Sequence, residues 1–429
     1  MRLQKFVPVI CAGVLAVFLA HCSSSTPPNN GSPTPTPTPN NPNPTKFKKR
    51  VLISINSPLG GNVLIADGSR DVLATQTVGV NSPGKMVTAS GETAILSTTL
   101  SNLTTFNNPG EVVFFNTPMQ ALPTDVAITS DGKTAFAAIK NKGVVEAVQT
   151  ATGNIVATVP VPTPARLVMS PNGTKLLVFS DDPQTIPGAN ANAFFVIDVA
   201  SVVNSPIATA VPQATAVQPH TGVFNGSETK AFILNCGPEC GGTTAGVVPV
   251  DLSVNPPALG TVIPLPGGAT IGLINGSSLF VAGTPIVPPA GCNFVQCGVL
   301  SIINTGSSTV ATANITDGLH GVMAMSNANH LYIGASRCSV GAISAQNQVQ
   351  SCLSVFNTTS NSTNAPIPES AFRTNFDVVA FQQISGRSVM YVAQGGAVDI
   401  FDTVTDNVST SITPFNIQAT VTYVLQIDP

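Results

Sequence analysis

The feature that most limits how this chain can fold is a polar residue that closes an apolar run, repeated at near-even spacing along the sequence. It stands at Asp67, Asn116, Gln149, Asp198, Asp251, Asn304, Asn357 and Asp402, with intervals of 49, 33, 49, 53, 53, 53 and 45. A Thr follows at Thr117, Thr150, Thr305, Thr358 and Thr403. A period of this length marks a supersecondary unit that cannot bury its own faces and must stack on copies of itself.

The clearest copy is PTDVAITSDGKTAFAAIKNKGVVEAVQTATGNIVATVP, residues 123–160. It reads as four strands at 126–129, 135–139, 144–148 and 155–159, separated by Ser-Asp-Gly-Lys and Thr-Ala-Thr-Gly turns. Gly132 supplies the positive φ that the first reversal needs. Short β-rich runs bounded by Gly, Pro, Asn and Asp form an antiparallel meander. Its first strand recurs as MVTASGE from Met86, LVMSPNG from Leu167, GVFNGSE from Gly222, GLINGSS from Gly272, VMAMSNA from Val322 and VVAFQQISG from Val378. The ordered part opens with a second, third and fourth strand (51–55, 62–66, 72–78) and ends on a bare strand, 420–427. That last strand completes the opening blade and closes a ring without an unpaired edge. The expectation is an all-β propeller of four-stranded antiparallel blades. The count gives eight blades. Seven is the alternative, because little room for a fourth strand separates Asn116 from Pro123.

The pattern P-x-x-V-A-x-S-x-D-G-K-x-A-F-A-A, followed by G-V-V-x-V-x-[DNQ]-T-x-[TS], resembles the YVTN β-propeller repeat over residues 51–429. That resemblance implies an extracytoplasmic propeller related in fold to the propeller lactonases and quinoprotein-type enzymes. It carries no function by itself, because propellers host scaffolds and enzymes alike.

The first 22 residues form an export signal, with Arg2 and Lys5 ahead of an apolar stretch at 7–20 that is short for a permanent span. Leu-Ala-His-Cys at 19–22 resembles a bacterial lipobox, with His21 where Gly, Ala or Ser is usual. The resemblance implies lipidation of Cys22, and Ser23 fits sorting to an outer membrane; ordinary secretion is the alternative. Residues 23–46 are expected to be a disordered Ser/Thr/Pro/Asn tether. Its 23 residues up to Thr45 would reach roughly 70 Å at about 3.1 Å per residue. The propeller then occupies 47–429. Loss of the signal takes the formal charge from −3 to −5, and charged residues are only 9% of the chain. A mildly acidic surface without basic clusters argues against nucleic acid. The basic run at 46–50 reads as a solvated boundary.

Six cysteines remain in an exported chain, which points to disulfides. The expected pairs, each within one loop, are Cys236–Cys240, Cys292–Cys297 and Cys338–Cys352. Each lies between the second and third strands of its blade. Three or four intervening residues and no His close by speak against zinc. No metal and no cofactor are expected. Second-to-third loops share a face with the loops leading into each first strand. Long insertions gather on that face, including 180–193 and 335–352, which marks it as the binding side.

Near the starts of the first strands stand Lys85, Asp125, Arg166, His220, His320 and Arg373, candidates for a polar funnel at the channel mouth. His330 reads as a second-strand surface residue. The polar column at the third-strand ends accepts acid or amide alike, so it reads as turn capping. Asp181-Asp182-Pro183 reads as a turn and lacks the acid spacing of a calcium loop. No G-x-S-x-G, H-E-x-x-H, P-loop or dinucleotide motif occurs. The function these features favour is a monomeric, membrane-anchored, non-enzymatic binding module. Its partner would be an envelope protein or a cell-wall component. The alternatives are a lactonase- or quinoprotein-type enzyme acting through His220, His320, Arg166 and Arg373, and a structural surface-layer component.

Overall fold

A computed structural model describes residues 41, 43–57, 60–180, 193–213, 218–287, 297–338, 350–364, 378–413 and 419–428. These form eight antiparallel sheets, each a meander of four strands; in blade 5 the outer strand is broken in two. The first strands of blades 2 to 8 are Pro83–Ala89, Asp125–Ile128, Pro164–Met169, Pro219–Phe224, Ile271–Asn275, Leu319–Met325 and Val378–Gln383. Thr420–Gln426 is the first strand of blade 1. These eight strands touch one another in turn around the whole circle.

The seam closes as the repeat arithmetic requires. Arg50–Ser57 pairs with Thr420–Gln426 through Val51↔Gln426, Leu52↔Leu425, Ile53↔Val424 and Ser54↔Tyr423. Beyond the last strand, Asp428 accepts from Arg50 Nε and Nη2, both at 2.6 Å. This bidentate pair holds the Arg50 guanidinium above its usual range.

Among the described residues the apolar core is not one central body. Eight apolar clusters form instead, one at each junction between neighbouring blades. At the junction of blades 1 and 2, for example, Leu52, Val63 and Ile65 meet Met86, Ile95 and Phe106. Both faces of a blade are therefore buried, which is why its middle strands read as continuous Val/Ile/Leu/Ala runs rather than as alternations.

Blade 2 departs from the sequence expectation. Its third strand is Asn102–Asn107, and Val112–Pro118, which contains Asn116, is its fourth. The turn residue is Asn107, whose Oδ1 accepts from Gly110 N at 2.8 Å. Phe-Phe-Asn-Thr mimics the third-strand marker, while Asn-Leu-Thr-Thr-Phe-Asn is too polar to announce a strand. With this correction the blade has all four strands, and the count is eight.

The polar column does cap turns. Asp67 Oδ1 accepts from Ser69 N at 2.9 Å, Asn304 Oδ1 from Gly306 N at 2.9 Å, and Asp402 Oδ1 from Val404 N and Thr405 N at 2.9 Å. Four residues after the cap the chain turns left-handed: Asp71, Glu111, Ser308, Asn361 and Asp406 have φ of 61°, 49°, 59°, 55° and 57°. Three of these are acids, and each clasps another element. Asp71 accepts from Tyr391 Oη at 2.6 Å and pairs with Arg387. Asp406 accepts from Tyr332 Oη at 2.8 Å and lies 3.0 Å from His330 Nδ1. His330 is therefore buried rather than on the surface, because Asp406 on one side and Asn357 on the other satisfy its ring.

Glu111 accepts from Thr45 N at 2.6 Å, and Gln76 Nε2 donates to Asn41 Oδ1 at 3.1 Å. The stretch assigned to the tether is thus fastened to the outer strands of blades 1 and 2 from Asn41 onward. Thr45 meets the third-to-fourth turn of blade 2, and Gly68 N in the same turn of blade 1 bonds to Lys49 O at 2.7 Å; these turns lie on the face opposite the second-to-third loops. Among the described residues no helix is long and apolar enough to cross a membrane.

Candidate binding site at the channel mouth

Six of the eight first strands carry an irregularity two or three residues from their starts. Register slips between Pro83 and Met86, Pro164 and Arg166, Pro219 and Thr221, His320 and Val322, and Val378 and Ala380. Thr422 is the extra residue at the seam. In the remaining two blades Thr124 N and Thr270 N bond to the carbonyls of Ala138 and Ala282, residues that also face or adjoin the next ladder pair. A bulge frees one residue from the ladder and re-aims its side chain. Six such bulges lie around the ring, and Lys85, His220 and Thr422 are among the residues they free toward the channel cavity.

The channel cavity is about 730 Å³, and Lys85, Asp125, Arg166, His220, His320 and Tyr423 line it. Five of the six residues singled out in the sequence therefore converge. Arg373 lies outside the described residues, as do Cys22, Cys292 and Asp181-Asp182-Pro183.

Two pairs dominate the electrostatics. Lys85 Nζ donates to Asp125 Oδ1 at 2.6 Å. The same carboxylate accepts from Val126 N and Leu167 N, both at 2.8 Å. Asp125 is nearly sealed from solvent, whereas the Lys85 side chain, though ringed by protein, keeps 36% of its surface open to the channel. Burial depresses the ammonium, but the Asp125 carboxylate outweighs it and leaves Lys85 above its ordinary value. Burial likewise raises the Tyr423 phenol, and Lys85 only partly offsets it. Tyr423 is thus a neutral O–H group.

The second pair is Arg166 and His220, with Nη1 to Nδ1 at 2.9 Å. A guanidinium has no acceptor, so Nδ1 accepts and the imidazole proton sits on Nε2. His320 is different. It is 2% exposed, its Nε2 donates to Thr316 O at 2.9 Å, and burial pushes its pKa down to about 4. Its Nδ1 has no hydrogen-bond partner among the described residues. His320 is a neutral wall of the channel rather than a charged rim.

Cys236–Cys240 and Cys338–Cys352 are disulfides, and Cys297 is also disulfide-bonded. The first of these loops holds a residue that sequence reasoning passed over. Glu239 stands in the short 3-10 turn Gly237–Cys240 and packs against Gly268, where a Cβ would lie 1.9 Å from its Oε2. Oε2 accepts from Thr284 N at 2.9 Å, and Oε1 is buried without a partner among the described residues. Burial raises this carboxyl to about 7. The sequence offered one signal: an acid enclosed by a five-residue disulfide loop.

The same loop approaches the channel wall. Cys240 Sγ is 3.5 Å from His220 Nδ1, and the ligand atoms of His220, Cys236 and Cys240 all lie within 4.8 Å of one another. Spacing along the chain concealed this histidine, because Cys236 and Cys240 follow the second strand of the blade that His220 opens.

Solved structures share this architecture. The dihydro-heme d1 dehydrogenase NirN in complex with DHE aligns with a TM-score of 0.66 at 12% identity, covering 89% of this chain and 77% of that one. Apo AztD from Citrobacter koseri gives 0.58 at 10% identity over 88% and 98% of the two chains. BamB from Moraxella catarrhalis gives 0.54 at 12% identity over 77% and 87%. At such identities the likeness is one of fold. No protein-family model matches the chain, and no curated protein matches it in sequence. The YVTN resemblance accordingly stays at the level of the repeat motif.

Proposed function

We propose that this protein is a lipid-anchored binding module of the cell envelope, extracytoplasmic and held by Cys22, whose channel mouth receives an acidic group of an envelope protein or cell-wall component. The observation that carries this reading is the convergence of Lys85 and Arg166, from the first strands of blades 2 and 4, on the channel cavity. Lys85 is already matched by Asp125, and the guanidinium of Arg166 stands on the same rim. Amide, hydroxyl and imidazole groups around it suit hydrogen bonding to a carboxylate or phosphate. Because the segment from Asn41 to Lys49 lies on the opposite face, a tether running on from it would point the mouth away from the membrane.

The enzyme reading finds less support in the same geometry. Asp125 accepts from three donors, His220 gives its lone pair to Arg166, and the lone pair on His320 Nδ1 belongs to a side chain that is buried. A general base needs a lone pair within reach of substrate.

The test is capture from envelope membranes with the purified protein as bait, beside an Arg166→Ala/Lys85→Met variant that keeps its β-sheet circular dichroism. A partner held by the parent and lost by the variant supports the reading. Equal capture by both refutes the channel as the site. In the cell, Cys22→Ala should move the protein from the membrane to the soluble fraction, and unchanged fractionation would refute the anchor.

A further inference from the structure

The Cys236–Cys240 loop and His220 point to a second chemistry. We infer that reduction of this disulfide opens a Cys₂His site for Zn²⁺ at the edge of the channel mouth, built from Cys236 Sγ, Cys240 Sγ and an imidazole nitrogen of His220. Tetrahedral zinc with Zn–S of about 2.3 Å and Zn–N of about 2.0–2.1 Å places sulfur and nitrogen about 3.6 Å apart and the two sulfurs about 3.8 Å apart. Cys240 Sγ and His220 Nδ1 already stand at 3.5 Å, and all three ligand atoms fall within 4.8 Å of one another. Once the S–S bond is broken, the two sulfurs have to part and Arg166 has to release His220 Nδ1.

The surroundings favour such a site. The Cα atoms of Cys236 and Cys240 are 5.7 Å apart, close enough for both side chains to reach one ion. The loop is held from outside by Cys236 N to Gln218 O at 3.0 Å and within its own turn by Gly242 N to Gly237 O at 2.8 Å, so its shape does not depend on the disulfide alone. His220 is a bulge residue on the first strand of the same blade, held against the loop by the sheet. Arg166, which now donates to His220 Nδ1, can turn to the thiolates when the imidazole takes up the metal. Three protein ligands leave one tetrahedral position for water or for a group entering the channel, the arrangement of an open zinc site.

The redox step balances. A dithiol reductant supplies two electrons and two protons, its own sulfurs join in a disulfide, the Cys236–Cys240 bond breaks, and two thiols form. Zinc binding then displaces the two thiol protons. Cys240 is the partly exposed sulfur and Cys236 the buried one, so an incoming thiolate attacks at Cys240.

The test uses the full purified chain, reduced anaerobically with a phosphine that does not itself hold zinc. Zn²⁺ is titrated against a chromophoric chelator, and Co²⁺ serves as a spectroscopic stand-in. The parent is compared with Cys236→Ser/Cys240→Ser, which retains every other cysteine, and with His220→Ala. The expected result is one more equivalent of tight Zn²⁺ in the reduced parent than in the double variant. Co²⁺ should show thiolate charge-transfer and tetrahedral d–d bands, and His220→Ala should bind at least about tenfold more weakly. The non-reduced parent should show no such equivalent. Equal stoichiometry in reduced parent and double variant overturns the inference. So does a reduced parent that has lost its β-sheet circular dichroism, because the site needs the ring to hold His220 in place.

Discussion

Ring closure makes the seam the most informative place to perturb. Val421 and Val424, on the strand that completes blade 1, are 0% and 1% exposed and share a cluster with Ile53, Tyr391 and Ile400. Replacing each by Ala removes two methyl-sized groups, about 1.6 kcal/mol of transfer free energy at about 0.8 kcal/mol per CH₂. The cavity left behind adds up to about 1 kcal/mol at each site. The double variant should therefore lose about 3–5 kcal/mol, a large share of the roughly 5–15 kcal/mol that holds a folded domain. At about 2 °C per kcal/mol for a body of this size, the thermal midpoint should fall by about 6–10 °C. The assay is thermal unfolding by far-UV circular dichroism together with the near-UV signal of the tyrosines, of which the chain has three and no Trp. Tyr332 and Tyr391 report on blades 7 and 8, and Tyr423 on the seam itself. Val310→Ala, on an outer strand and 37% exposed, is the control and should shift the midpoint by no more than about 1 °C. If the seam variant behaves like the control, the closing strand contributes little. If instead a small early transition splits off while the rest melts at the parental temperature, the blades are an open array and not one cooperative ring.

Glu239 and His320 should give the stability opposite pH slopes. The Glu239 carboxyl, raised to about 7 from 4.5, keeps its proton in the folded state while the unfolded chain ionises. Its contribution is therefore present below about pH 4.5 and lost as pH rises to about 7, roughly 3 kcal/mol in all. His320, lowered to about 4 from 6.5, stays neutral when folded, so its contribution is present above about pH 6.5 and lost as pH falls toward 4. The two nearly cancel between pH 4.5 and 6.5. Glu239→Gln should then gain stability with rising pH over that window, and His320→Asn should lose it. Matching slopes in chemical denaturation of the two variants would refute the assignment. Tyr391→Phe deletes the hydroxyl that donates to Asp71 at 2.6 Å across the junction of blades 8 and 1. It should cost about 1.5–3 kcal/mol in urea unfolding, as expected for a hydrogen bond to a charged acceptor, and no change would show that Arg387 alone satisfies the carboxylate.

The amino-acid sequence alone determined the meander, its repetition, the closing strand and the face on which the cysteine loops emerge. All of these follow from local chemistry: apolar runs of strand length, a side-chain oxygen that caps the next turn, and one strand left over. It erred in blade 2, where Phe-Phe-Asn-Thr copied the marker and a Thr-rich strand had no apolar signal of its own. It placed His330 on the surface because the partner that buries it, Asp406, sits in another blade, 76 residues away. The five described channel residues were found because they start equivalent strands. What they do there was decided only by tertiary structure: Asp125 takes Lys85 as its partner from 40 residues away, and Arg166 meets His220 across 54. The bulges that aim these side chains arise from ladder register, which a single strand does not encode. The approach of His220 to Cys236 and Cys240 has the same origin. Local sequence specifies each blade because its strands are neighbours in the chain, whereas contacts between strand starts depend on how eight blades are set around one axis.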